Sequence, residues 1–165
     1  EEDPSIHYWF SQHLNQPVRL VRKASFPQRS VKNHAETYVN FADGSQYLII
    51  GEETLQDLNS KLTQPIAMSQ FRPNLVFSDG DAYGEDYWKN ITVGSAHFEA
   101  TKLCSRCTMI NINQDTAKID VEPLRVLSTF RKRNNKVYFG QFLKLKSKEA
   151  IRIAVGDPIR VERKA

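Results

Sequence analysis

Leu103-Cys104-Ser105-Arg106-Cys107-Thr108-Met109-Ile110-Asn111-Ile112 is the stretch on which the fold turns. Its cysteines stand three apart, a spacing used by zinc sites and by thioredoxin-like redox pairs. Tetrahedral zinc takes four ligands, usually with a second close pair. His7, His13, His34 and His97 supply no such pair in a finger context. A thioredoxin-type pair sets its first cysteine at a helix N-terminus, where the dipole lowers the thiol pKa. Here both flanks are β-like, and Thr108 to Ile112 is expected as a strand.

Strand geometry offers a third reading. Residues two apart in an extended segment share a face, and residues three apart do not. Ser105 and Cys107 then face one side and Cys104 the other. That favours one working thiolate with a polar neighbour over a two-cysteine chelate. Such a thiolate is a soft ligand for a metal such as molybdenum or copper, or a nucleophile in sulfur chemistry. The competing reading is two buried structural cysteines, since free Cys is among the most buried residue types.

Outward from this stretch, short β-like runs dominate. They are Val18 to Val21, Gln46 to Ile50, Pro73 to Phe77, Ile91 to Val93, Ala96 to Thr101, Lys136 to Leu145, Ala150 to Ile153 and Ile159 to Val161. Most are bounded by Gly, Asp, Asn or Pro. Phe139-Gly140-Gln141-Phe142 sets a glycine inside a strand pattern, which predicts a bulge or a close backbone approach. Three helices are expected. The first follows the Asp3-Pro4-Ser5 start signal and ends before Pro17. The second covers Glu52 to Leu62, with Leu55, Leu58 and Leu62 as its apolar stripe. The third runs from Pro123 into Arg131-Lys132-Arg133. Strands and helices do not alternate regularly, which argues against a doubly wound parallel sheet. The expected fold is mainly β (α+β): a curled, barrel-like, mostly antiparallel sheet with two or three flanking helices. Ser25 to Glu36 reads as a loop or linker.

Phe71-Arg72-Pro73-Asn74 is the second informative block. Proline pushes the preceding residue out of the α region, so Arg72 is expected to be extended and to point the same way as Asn74. A five-donor guanidinium beside a carboxamide suits a phosphate or a heterocycle edge. The competing reading pairs Arg72 with Glu85 or Asp86. Asp79 to Trp88 reads as caps and turn hydrogen bonds around a core tryptophan. His97 is read as packed or exposed rather than as a ligand. Arg131-Lys132-Arg133 reads as a solvated helix end, with a phosphate or partner contact as the alternative.

The composition sets the outer bounds. The chain has 165 residues, 40% hydrophobic and 25% charged, with a formal net charge of +4. A chain of this size buries roughly two-thirds of its unfolded surface and needs no disulfide or metal merely to fold. Two cysteines fit a reducing compartment, and the cytoplasm is the expected location. The longest apolar run, Tyr47 to Ile50, is far too short to span a membrane. The chain starts at Glu1 rather than Met, which suggests a piece of a longer protein.

Taken together, Thr54 to Asn59, Phe71 to Asn74, Glu85-Asp86-Tyr87-Trp88, Cys104 to Cys107, Asp115-Thr116, Glu122-Pro123-Leu124, Phe139-Gly140-Gln141 and Gly156-Asp157 resemble the MOSC domain. That fold is shared by the C-terminal part of molybdenum-cofactor sulfurases and by amidoxime-reducing proteins. The Cys-Ser-Arg-Cys and Phe-Arg-Pro-Asn forms point to the amidoxime-reducing branch and its bacterial relatives. The resemblance implies a β-barrel domain that binds the molybdenum cofactor, a pyranopterin with a phosphate. It implies Cys107 as the molybdenum ligand and catalytic residue, Ser105 beside the cofactor, and Arg72 and Asn74 on its pterin-phosphate part. The implied reaction reduces small N-hydroxylated compounds, with electrons from a transfer partner or a fused 2Fe–2S domain outside this chain. Relatives also carry an N-terminal β-rich domain that helps to bind the cofactor. Residues 1–35 are therefore expected to be the helix, strand and linker at the tail of that missing domain, and residues 36–165 the MOSC domain. No pyridoxal-phosphate lysine or Fe–S ligand set is evident, and the chain is expected to be a cofactor-domain fragment that folds by itself. Ala117 stands where the family commonly has Gly. Two other functions compete: a sulfur-carrier domain holding a persulfide on Cys107, and a basic β-barrel for nucleic acid. The second is disfavoured because most aromatics sit in core-like patterns.

Overall fold

A computed structural model describes residues 3–22, 29–31, 34–39, 45–146 and 151–164. The chain divides into two compact units, Glu1–Gly44 and Ser45–Ala165.

In the first unit, helix α1 spans Pro4–Leu14. Asp3 caps it by accepting the Ser5 N–H at 2.7 Å, and Asn15 ends it in the left-handed conformation. The expected strand Val18 to Val21 does not form. Ser11 Oγ takes the Val18 N–H at 2.9 Å and His7 Nδ1 takes the Leu20 N–H at 3.1 Å, so helix side chains satisfy the backbone a sheet would have used. The expected loop Ser25 to Glu36 is also corrected where it is described. Strand β1 (Arg29–Val31) pairs antiparallel with β2 (His34–Val39). Residues 23–28, 32 and 33 lie outside the described residues.

The second unit contains β3 (Tyr47–Gly51), α2 (Glu52–Asn59), β4 (Leu75–Phe77), β5 (Trp88–Val93), β6 (Ala96–Arg106), α3 (Glu122–Arg131), β7 (Lys132–Arg133), β8 (Lys136–Leu145) and β9 (Ile159–Lys164). The sheet order is β4-β3-β8-β6-β5-β9, with β7 also paired to β8. Among the described strands, only β3 and β4 run parallel; the connection between them contains α2. Every other pairing in this sheet is antiparallel. The result is a curled, mostly antiparallel half-barrel flanked by helices, as the strand-rich pattern predicts. Its two faces bury separate clusters. One gathers Leu48, Ile50, Leu58, Phe71, Ile110, Leu127 and Phe139, and the other Ile49, Trp88, Ile91, Phe98 and Leu143. Leu55 and Leu62 pack beside Leu58, so the apolar stripe of α2 meets the first cluster.

Gly140 is both things its position in a strand predicts. Its φ is +80°, and a Cβ there would lie 2.6 Å from Ile50 Cγ1 and 2.9 Å from the Ile49 carbonyl. Two further strand expectations fail. Thr108–Asn111 is a 3₁₀ turn, because Ile110 is fully buried while Asn111 docks α3 through its Oδ1, which accepts the Leu124 N–H at 3.0 Å. Residues 151–153 are irregular, and Ala150 lies outside the described residues.

Candidate functional site

Strand β6 delivers the cysteine motif to one end of the sheet. Cys104 is buried, while Ser105 and Cys107 are exposed, the separation strand alternation predicts. Both thiols are free. Burial pushes the Cys104 thiol pKa up, and the Arg106 guanidinium pulls against that without overcoming it. Cys104 is thus an inert core thiol and Cys107 the accessible one. Cys107 keeps an extended backbone (φ −111°, ψ −176°) and starts the turn Thr108–Asn111.

Arg106, a residue the sequence reading passed over, holds the motif in place. Its Nη1 donates to Cys104 Sγ at 2.9 Å, its Nη2 donates to the Phe71 carbonyl at 2.7 Å, and its guanidinium lies 5.3 Å from the Phe71 ring centroid. It shares the strand face of Cys104. A cation on the inward face of a strand must find acceptors, and that was the available signal. The bond to Phe71 ties the cysteine strand to the turn Met68–Phe71, which Arg72 terminates. Gln70 reinforces the link, donating through Nε2 to the Ile110 carbonyl at 2.7 Å.

Arg72 is exposed but not extended. Its φ of 55° and ψ of 48° are left-handed, a correction to the extended geometry expected before Pro73. Proline disfavours the right-handed region, and the turn must reverse within one residue to start β4. The expected alternation of Arg72 with Asn74 therefore does not apply. Asn74 closes a two-bond clasp on β3: its N–H donates to the Leu48 carbonyl at 2.9 Å, and its Oδ1 accepts the Leu48 N–H at 2.9 Å. Its Nδ2 has no hydrogen-bond partner among the described residues.

The carboxylates proposed as partners of Arg72 are engaged elsewhere. Asp86 pairs with Arg131 at 2.5 Å, both nearly buried, and Arg131 Nε also reaches the Tyr138 carbonyl. This corrects the reading of Arg131 as solvated. Glu85 accepts from Thr54 Oγ1 at 3.0 Å and from the Gly51 N–H at 3.4 Å; burial raises its pKa. Arg72 has no ion pair among the described residues. Trp88 is core, its ring tilted 44° against Phe77 at 4.6 Å, and His97 is exposed and bonded to Glu162.

A free exposed thiol, a hydroxyl two residues before it and a guanidinium without a carboxylate make a donor set that fits a soft metal carried by an anionic organic group. Among the described residues, no group of three or more His, Cys, Asp or Glu side chains could hold a metal alone. No helix there is long and apolar enough to cross a membrane.

Comparison with known proteins bears on this geometry. The family model of the MOSC domain matches residues 36–160. Molybdenum cofactor sulfurase of Oryza sativa subsp. japonica is 35% identical over 161 residues, covering 86% of this chain and 20% of the relative. Its counterpart in Arabidopsis thaliana is 33% identical, covering 96% of this chain and 22% of the relative. Mitochondrial amidoxime-reducing component 1 of Homo sapiens is 32% identical over 167 residues, covering 92% of this chain and 49% of the relative. The chain therefore spans half or less of these curated relatives.

Proposed function

The chain belongs to the MOSC domain family, and from that premise we propose that it binds the molybdenum cofactor as part of an oxidoreductase acting on N-hydroxylated compounds. The observation that carries this reading is the exposed Cys107 thiol at the end of β6, with Cys104 turned into the core. Cys107 would ligate molybdenum as the thiolate, Ser105 would lie beside the cofactor, and the free Arg72 guanidinium with Asn74 Nδ2 would hold its pterin-phosphate part. When bound, the group supplies two-electron chemistry: the substrate N–O bond breaks, nitrogen is reduced, and oxygen leaves as water with two protons. Arg106 acts one step removed, fixing the strand that presents Cys107 and the turn that presents Arg72.

The electrons would come from a transfer protein or a fused 2Fe–2S domain, and an N-terminal β-rich domain would complete the cofactor pocket. Residues 1–35 would be the tail of that domain and residues 36–165 the cofactor domain. Two free cysteines favour a reducing compartment, and we place the protein in the cytoplasm.

Elemental mass spectrometry on anaerobically purified protein tests this, with Cys107→Ala alongside, on this chain and on any longer protein that contains it. About one molybdenum per wild-type chain and none in the variant is expected. Negligible metal in both, in the longer protein as well, overturns it. A second reading is favoured by the sulfurase relatives: Cys107 as a persulfide carrier. An added sulfur on Cys107 in freshly isolated protein, found by peptide mass, selects it.

A further inference from the structure

The hairpin Lys132–Lys136 is the feature of this end of the sheet that the proposed function leaves unused. All five of its residues are exposed, three are cations, and none is a carboxylate. Asn134 and Asn135 form its tip with φ of 48° and 60°, the left-handed pair of a type I′ turn, so the two strands are rigidly apposed. Arg133 sits directly across from Lys136. Like charges at such a rung are destabilising, and neither has an ion-pair partner among the described residues.

The ladder locates this pair beside the thiol. On its other edge β8 pairs with β6, Tyr138 opposite Ser105 and Val137 opposite Arg106. β6 ends at Arg106, and its register carried on by one residue points the still-extended Cys107 toward Lys136. Cross-strand partners share a face, and residues two apart do too. Arg133, Lys136, Tyr138, Ser105 and Cys107 therefore lie on one face, the two uncompensated cations one and two strands away from the exposed Cys107 thiol.

We infer that Arg133 and Lys136 form an anion-binding subsite beside Cys107, which takes the phosphate or carboxylate of the molecule that reaches the thiol. Resting on the proposed function, this makes the substrate class N-hydroxylated compounds that carry an anionic group, such as a phosphate ester. A bound anion would relieve the like-charge rung, which otherwise weakens the hairpin without return.

The test does not need the cofactor. On metal-free protein, Cys107 is alkylated with iodoacetate and with iodoacetamide, and the modified peptide is read by mass; the buried Cys104 serves as the internal control. Both reagents meet the same thiolate, so the ratio of their rates cancels its reactivity and reports attraction of the anion. The ratio should fall about three- to tenfold in Arg133→Gln/Lys136→Gln relative to wild type. It should fall likewise in wild type at 1 M salt, where screening acts over about 3 Å. An unchanged ratio in a folded double variant overturns the subsite, and points to the cations as a surface for an acidic macromolecule instead. Wild-type Arg133 with Lys136→Gln alone provides a milder variant should the double one unfold. On the metal-loaded protein, KM for a phosphate-bearing hydroxylamine should rise in the variant while a neutral one is unaffected. Loss of molybdenum from the variant assigns the anion to the cofactor's own phosphate and overturns the substrate assignment. Failure of the proposed function itself shows separately, as absent metal in wild type.

Discussion

At the scale of single residues, backbone conformation explains several positions that side-chain chemistry leaves unexplained. Arg72, Tyr83 and Ala117 all adopt positive φ without being glycine, and each stores strain of about 1–2 kcal/mol. Arg72 lies in the proposed cofactor site, where such strain recurs because surrounding contacts enforce it. Tyr83 is held by its hydroxyl, which donates to Asp57 at 2.7 Å, and by the Arg131 guanidinium 4.3 Å from its ring centroid. Ala117 has a simpler setting, an Asn113-anchored turn in which Asn113 Oδ1 accepts two backbone N–H groups. Nothing there requires a methyl group. Ala117→Gly should therefore raise stability by about 0.5–1 kcal/mol, the relieved strain less the entropy glycine adds to the unfolded chain. Urea denaturation measures it, and a less stable variant contradicts the strain account.

At the scale of elements, β8 is the organising strand. It touches β3, β6 and β7, and it contributes Phe139 to one core cluster and Leu143 to the other. Gly140 allows this switch of faces. Its positive φ and the close approach of Ile50 and the Ile49 carbonyl leave no room for a side chain. Gly140→Ala should cost about 2–4 kcal/mol, from left-handed strain together with overpacking. Thermal and urea unfolding read the loss; a cost under about 1 kcal/mol sinks the argument. The element that departs most from expectation is Thr108–Asn111. Its β-branched and apolar residues suit a strand, yet they are spent on burying Ile110 and bonding α3.

At the scale of the whole molecule, one buried acid joins the pieces. Glu85 lies fully buried where β3 passes into α2, bonded to Gly51 and Thr54. Burial raises its pKa above the ordinary value of 4.5. The folded state then keeps the proton to higher pH than the unfolded chain does, so this group's contribution is most favourable in acid and declines as pH rises past about 4.5. Glu85→Gln removes that dependence. Measured against wild type from pH 4 to pH 7, the variant should gain relative stability with rising pH. A gap between the two that is flat across the range would show that folding does not raise the Glu85 pKa.

Local physics made much of this protein legible from its residues. Asp3-Pro4 announces a helix start, Gly140 a crowded bend, and Leu55-Leu58-Leu62 a buried stripe, because capping, steric clash and periodicity act over a few residues. The opposite facing of Cys104 and Cys107 follows from alternation alone. The order and spacing of the blocks from Thr54 through Cys104–Cys107 to Gly156-Asp157 also suggested the family. Tertiary structure decided what depends on distant partners: the left-handed Arg72, the turn at Thr108, the capture of Val18 to Val21 by α1, and the burial of Arg131 against Asp86. Arg106 belongs with these. Its role lies in the Phe71 carbonyl it reaches across 35 positions of chain, and no local pattern specifies which acceptor a half-buried cation will find. The register that brings the end of β6 alongside Val137 and Tyr138 is likewise settled only when β6 and β8 pair.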